Sequence, residues 1–341
     1  MEQIIPKKPI SVEHNWQKEL ACSFTDPVKL LRYLGLEEEK FTQHIKARRL
    51  FPMRVPRYFV DLMEKGNPLD PLFLQIMPLS DEFLTSKGYS DDPLDEHETA
   101  GKGILHKYDS RVLLMVRTGC AVNCRYCFRR HFPYADNAVS KHQWEEVLDY
   151  LRRNSNINEV IFSGGDPLMA KDDHLAWLAN EIAQIDHIKR LRIHTRLPVV
   201  LPDRLCNEFS DWFTDLPLQK VLVLHANHAN EITDVLASKL DSLRKKGVTL
   251  LNQSVLLKGI NDSGLAISQL SEKLFDAGVL PYYLHVLDKV QGASHFNVSD
   301  EDARAIMEEA IKRLPGFLVP KLVREIGGQP GKTPIDLHLH P

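Results

Sequence analysis

The chain has 341 residues, of which 43% are hydrophobic and 26% charged, the balance of a folded protein with one large domain or a domain plus an extension. That composition excludes a disordered chain, a collagen-like repeat and a small disulfide scaffold. A formal charge of −3 with no basic block leaves no electrostatic footprint for nucleic acid. No apolar run approaches the roughly 20 residues that span a bilayer, so no membrane partner is expected.

The first residues, MEQIIPKKPISVEHNWQKEL, lack the apolar core and small-residue cleavage site of a signal peptide, which predicts a cytoplasmic protein. Residues 1–105 are irregular and proline-rich, as in FPMRVPRYFV and GNPLDPLFLQIMPLS, with helical stretches such as VKLLRYLGL. They read as a mainly helical N-terminal extension wrapped on a core at 106–330, with a short tail at 331–341. In the core, β-rich runs alternate with amphipathic stretches. The strands are RVLLMVR (111–117), EVIFSG (159–164), LRIHT (191–195), KVLVLHA (220–226), TLLNQSVLL (249–257) and PYYLHVL (281–287). The helices are KHQWEEVLDYLRR, DDHLAWLANEIAQI, DRLCNEFSDWF, NEITDVLASKLDSLRKK, GLAISQLSEKLFDAG and SDEDARAIMEEAIKRL, the last with Ser299 and Asp302 as a capping box. Six βα units in series predict an α/β fold with a parallel sheet, doubly wound or curled into a partial barrel.

Polar residues fall where each strand ends: the cysteines, Ser163-Gly164-Gly165-Asp166, His194 with Arg196, His225 with Asn227, Gln253 with Ser254, and His285 with Asp288. In α/β barrels the site is built at those ends, so the succession favours one barrel mouth, although some of these residues simply cap helices.

Cys22 and Cys206 are isolated, whereas Cys120, Cys124 and Cys127 form a C-x3-C-x2-C pattern just after the first strand. Structural zinc with His131 as fourth ligand is one reading, but zinc ligands more often come as two separated pairs. Three thiolates at this spacing suit three irons of a 4Fe–4S cluster, leaving the fourth iron open. The pattern, with six βα units behind it, resembles the radical S-adenosylmethionine (SAM) enzymes. By that resemblance the fold is a partial (βα)6 TIM-like barrel, and SAM binds the open iron. Ser163, Gly164, Gly165 and Asp166 resemble the glycine-rich turn that receives the methionine amino group.

The segment Gly327-Gly328-Gln329-Pro330-Gly331-Lys332-Thr333 nearly reads as a phosphate-binding P-loop, but Ile326 stands where the first glycine belongs and no helix follows. A lysine on such a loop at a barrel mouth also suits an imine with pyridoxal phosphate (PLP). Together with YDSRVLLMVRTGCAVNCRYCFRRH (108–131), NQSVLLKGIND and PYYLHVLDKV, this segment is similar to the lysine 2,3-aminomutase family from about residue 50 to 336.

The resemblance implies that Lys332 carries PLP, with Tyr108 and Arg111 holding the coenzyme and His225 and Gln253 lying around SAM. It implies that Arg129 grips the carboxylate of L-lysine. Asp288 and Glu325 then select its distant ammonium, because an unpaired buried charge is costly. Glu325 replaces the family's usual aspartate. Ser263 stands where longer members have a zinc cysteine, so no structural zinc is expected. The short form resembles the bacterial branch whose β-lysine serves elongation factor P, implying a link to that factor and its lysyl-transferring enzyme, and flavodoxin or ferredoxin as electron donor. An aminomutase for arginine or glutamate, and a non-catalytic zinc-binding protein, are the alternatives.

Overall fold

The expected strands are mostly continuous apolar runs, as strands of a covered parallel sheet are, and the amphipathic helices between them supply the cover. The computed structural model describes residues 16–97, 101–133 and 139–339 and folds in this way. Its strands are β1 (Ile104–Tyr108), β2 (Arg111–Arg117), β3 (Glu159–Gly164), β4 (Arg190–Thr195), β5 (Gln219–Leu224), β6 (Thr249–Val255), β7 (Leu280–His285), β8 (Lys321–Arg324) and β9 (Thr333–Pro334). They form one nine-stranded sheet in sequence order. β2 to β8 run parallel, and β1 and β9 flank them antiparallel.

The helices of the parallel units are α1 (Lys141–Arg153), α2 (Asp172–Ala183), α3 (Asn207–Asp215), α4 (Asp234–Lys245), α5 (Gly264–Asp276) and α6 (Asp300–Arg313). Right-handed crossovers between strands laid in sequence order put every helix on one face, which curls the sheet. A doubly wound sheet would need the strand order to reverse, and it does not. The sheet is therefore a partial barrel, with β1 and β9 as its two ends.

On the helix-facing side, Val112, Leu114, Val160, Phe162, Leu191, Ile193, Leu222 and Leu224 are buried with Leu148, Leu178, Phe213 and Leu240 from the helices. The alternate positions, including Arg192 and His194 on β4 and Tyr283 and His285 on β7, face the other way and line the barrel interior. Helix starts follow their caps. Ser140 and Gln143 form a capping box on α1, and Thr233, Ser263 and Ser299 cap α4, α5 and α6. At Ser299 the hydroxyl also reaches the Asp302 carboxylate, 2.7 Å away.

The N-terminal region contributes short helices at Trp16–Ala21, Pro27–Leu34, Arg57–Asp61 and Pro71–Leu74. Trp16, Leu30, Leu34, Phe59 and Phe73 join the same apolar core as the barrel. Its last part, Gly88 to His97, is laid across the C-terminal ends of β7 and β8. Ser90 bonds backbone to backbone with Lys289 (3.0 Å) and Gln291 (2.9 Å). No described helix is long and apolar enough to cross a membrane.

Candidate active site

The cysteine loop leaves the end of β2 and is pinned from outside the barrel. Asn123 N–H donates to the Arg54 carbonyl (3.0 Å) and Arg125 N–H to that of Gln75 (2.9 Å). The side chains of Arg125 and Arg130, both fully buried, converge on the equally buried Glu82. Arg125 Nε donates to Glu82 Oε1 at 2.8 Å and Arg130 Nη2 to Oε2 at 2.6 Å. Burial pushes the Cys127 thiol up to about 11, with Cys124 adding to it, and raises Cys120 and Cys124 as well. Metal-free, these are neutral thiols, and metal binding has to displace their protons. His131, the candidate fourth zinc ligand, turns its Nε2 to the Gln291 carbonyl at 3.1 Å and to Asp91 at 3.6 Å. Among the described residues no group of three or more His, Cys, Asp or Glu is arranged to hold a single metal ion.

The turn after β3 explains its glycines. Gly165 N–H bonds the Arg117 carbonyl (2.8 Å) and Asp166 N–H that of Gly119 (3.0 Å), which presses this turn against the lead-in to the cysteines. A Cβ on Gly165 would meet the Gly119 carbonyl oxygen at 2.6 Å. The expected close approach of backbone is thus present, but between two strand-end loops. Ser163, 6% exposed, accepts from Arg129 Nη1 at 3.3 Å. The Asp166 carboxylate accepts from the Thr195 hydroxyl and from the N–H groups of Leu168, Arg196 and Leu197, all between 2.7 and 3.0 Å. It braces the ends of β3 and β4 against each other.

The hairpin from β8 to β9 returns Lys332 to the mouth. Its Nζ donates to Glu325 Oε2 at 2.7 Å and lies 5.7 Å from the centre of the Tyr283 ring. Tyr108 hydroxyl donates to the other Glu325 oxygen at 3.1 Å, and Arg111 stacks on the Tyr108 ring at 4.0 Å. A side chain at Gly327 would strike the Asp95 carboxylate, so this glycine makes room for the segment crossing the mouth. Burial alone would raise Glu325, but Lys332 beside it holds its carboxyl below the usual range. Asp288 behaves oppositely: burial, then the charge of Glu325, push it up to about 7. Glu325, expected at the far end of the substrate, is here the counter-ion of the lysine. Arg129, expected to meet a substrate carboxylate, holds Glu96, with Nε to Oε2 at 2.6 Å.

A cavity of about 540 Å³ opens beside Asp288 and Glu325, walled also by Leu94, Lys289, Asp300 and Arg324, within the usual size of small-molecule sites. Inside the barrel, His194 Nε2, His225 Nε2 and Arg196 Nε are buried without a hydrogen-bond partner. Such atoms are rare in folded proteins. Burial, then Arg196, lowers His225 to about 3, and burial with Arg192, Lys332 and Arg129 lowers His194 well below its usual value. Both are neutral imidazoles in the space between the cysteine loop and Lys332, which suits polar ligands such as SAM and PLP. The ring of Tyr126, from the cysteine loop, lies 5.9 Å from that of His225. Gln253, half-buried on β6, pairs in register with Tyr283 of β7. Glu96, Lys107 and Arg192 have no local sequence signal; only the fold brings them in.

A profile of the radical SAM superfamily matches residues 115–267, from β2 into α5. The chain is 55% identical over 326 residues to L-lysine 2,3-aminomutase of Escherichia coli K12, covering 95% of both chains. It is 54% identical to the L-lysine 2,3-aminomutase of Haemophilus influenzae, over 97% of this chain and 98% of that one. The corresponding protein of Buchnera aphidicola is 46% identical, over 97% and 99% respectively. Cysteine loop, glycine turn and lysine hairpin all lie within a likeness that runs nearly end to end, and the chain belongs to the lysine 2,3-aminomutase family of radical SAM enzymes.

Proposed function

We propose that this chain is an isomerase that converts L-lysine to β-lysine by moving the amino group from C2 to C3. The observation that carries the reading is Lys332 paired with Glu325 beside Asp288, at the mouth that also holds the cysteine loop, in a chain matching L-lysine 2,3-aminomutases over 95% of its length. Enzymes of this family use a 4Fe–4S cluster, SAM and PLP. Bound together, those groups supply one-electron removal of a hydrogen that no base can take, and a carrier for the migrating nitrogen.

The chain's own residues then bind, orient and exclude water. Cys120, Cys124 and Cys127 hold three irons, and their loop is kept in place by Glu82. Ser163, Gly164 and Gly165 receive SAM, with Asp166 bracing the turn. His225 and Gln253 offer uncharged polar atoms to it. Lys332 holds PLP, with Tyr108 and Arg111 around the coenzyme. Arg129 receives the substrate carboxylate. Asp288 and Glu325 receive the ε-ammonium. A substrate with an ammonium at its far end relieves the mutual repulsion of two close carboxylates, which glutamate would worsen.

The short family branch supports a cytoplasmic enzyme reduced by flavodoxin or ferredoxin, whose product goes to elongation factor P through a lysyl-transferring enzyme. Anaerobic incubation with SAM, a reductant and each of lysine, arginine and glutamate tests the reading. β-Lysine as the fastest product is expected. No β-amino acid, or a faster product from arginine or glutamate, rejects it.

A further inference from the structure

We propose that Glu96 is a positioning residue of the carboxylate grip: it fixes Arg129 in the orientation that receives the substrate carboxylate and, through Lys107, couples that grip to Glu325 beside Lys332. The proposal rests on the reading of Arg129 given above.

Glu96 is 4% exposed and comes from the N-terminal segment that crosses the barrel mouth, not from the barrel. It takes Arg129 side-on, with Nε to Oε2 at 2.6 Å and Nη2 to Oε1 at 3.2 Å. The other end of the guanidinium, Nη1, donates to Ser163 Oγ at 3.3 Å and to the Gly164 carbonyl at 3.2 Å. The plane of the arginine is therefore set by two elements at once. Glu96 also accepts from Lys107 Nζ at 2.9 Å, and the same Nζ lies 3.9 Å from Glu325 Oε1. Charges alternate along the row Arg129, Glu96, Lys107, Glu325, Lys332.

A second behaviour fits a carboxylate on this arginine: Glu96 as a stand-in that the substrate displaces. The surroundings favour a fixed role. Glu96 serves two cations, so its departure would leave Lys107 with Glu325 at 3.9 Å as its nearest carboxylate. Its backbone is anchored, because the Asp92 carboxylate accepts the N–H groups of Glu96 and His97 at 2.9 and 2.8 Å. Burial opposes its ionisation, but Arg129 and Lys107 outweigh burial and hold its carboxyl below the usual range.

The test uses the reconstituted holoenzyme with Glu96→Gln and Glu96→Asp. Lysine and lysinamide, whose carboxylate is masked, are titrated by calorimetry and by coenzyme absorbance, and KM and kcat are measured for lysine. Glu96→Gln is expected to weaken lysine binding about tenfold or more and raise KM, with lysinamide changed less than about threefold; Glu96→Asp recovers part of the loss. Iron content and melting temperature identify a variant that fails to fold, in which case Glu96→Asp gives the reading by its lysine-over-lysinamide preference. Unchanged lysine binding, tighter binding as a displaced stand-in would give, or equal losses for both ligands each overturn the proposal. Arg129→Gln is run alongside. If that variant keeps the preference for lysine over lysinamide, the assignment of Arg129 itself fails. If it loses the preference and Glu96→Gln keeps it, only the role of Glu96 fails.

Discussion

Replacing Glu82 with glutamine tests whether buried charge holds the cysteine loop. The side chains of Glu82, Arg125 and Arg130 are each 0% exposed, and both arginines share the one carboxylate. Glutamine keeps the shape and removes the charge, leaving two buried guanidiniums with carbonyl partners only. Those are Phe51 and Pro52 for Arg125, and Arg125 and Gly292 for Arg130, at 2.9 to 3.2 Å. Removing one member of a buried ion pair costs about 3–5 kcal/mol, and the surviving carbonyl bonds put this case near the lower end, about 3–4 kcal/mol. An unfolding entropy of about 2.1 cal/mol/K per residue gives roughly 0.7 kcal/mol/K for 341 residues, so the melting temperature falls by about 4–6 °C. Calorimetric scans of the reduced, iron-free protein measure this. Iron bound per chain after reconstitution falls in the same variant, because Arg125 and Arg130 bracket Cys127 and follow Cys124. Replacing all three with apolar residues (Glu82→Leu, Arg125→Met, Arg130→Met) recovers stability, since no buried charge remains. A shift below about 1 °C in Glu82→Gln, or an apolar triple variant that melts lower still, refutes the reasoning.

Cys120, Cys124 and Cys127 changed together to alanine should abolish the visible absorption of the anaerobically purified protein and its cleavage of SAM; a full cluster in that variant defeats the assignment. Borohydride reduction and peptide mapping should place the coenzyme on Lys332, and a label on Lys258 or Lys289 overturns the role of the hairpin. Asp288→Asn should slow lysine turnover, and lysine binding in the parent should strengthen as pH rises through about 7, where Asp288 ionises, but stay flat in the variant. The sign for the fold is opposite. An unfolded aspartate releases its proton near pH ~4, so the raised native value means substrate-free stability declines between about pH 4 and 7, a decline Asp288→Asn removes. Parallel pH profiles for parent and variant count against the placement of Asp288.

The parallel core was legible because its signal is local. Short β-rich apolar runs take turns with amphipathic helices from β2 to β7, and each expected strand lies within two residues of its observed ends. β1, β8 and β9 were not expected. β8 has four residues and β9 two, too few for a periodic pattern, and β1 forms by pairing back on β2 across a tight turn. The cysteine spacing, the glycine turn and Lys332 were visible for the same local reason. The partners of these groups were not. Nothing near Glu96 in the sequence points to Arg129, and nothing near Glu82 points to Arg125. Glu325 is assigned to a substrate ammonium by family resemblance, but its contact with Lys332, seven residues on, is invisible until a hairpin folds them together.

The mouth joins parts of the chain that are synthesised far apart. Tyr108 and Glu325, hydrogen-bonded across the site, are 217 positions apart, and the segment bearing Glu96 precedes every strand of the sheet. The cysteine loop is no more local, since its anchors reach 43 positions back from Arg125 to Glu82 and 162 forward from Arg130 to Gly292, and contacts of such long range close large loops and form late. Both ends of the site therefore form late, the thiol end once the N-terminal region has docked and the lysine end once the last hairpin has closed. Cutting away the N-terminal region frees the cysteine loop from its anchors, and cutting away the last hairpin takes Lys332 from the mouth.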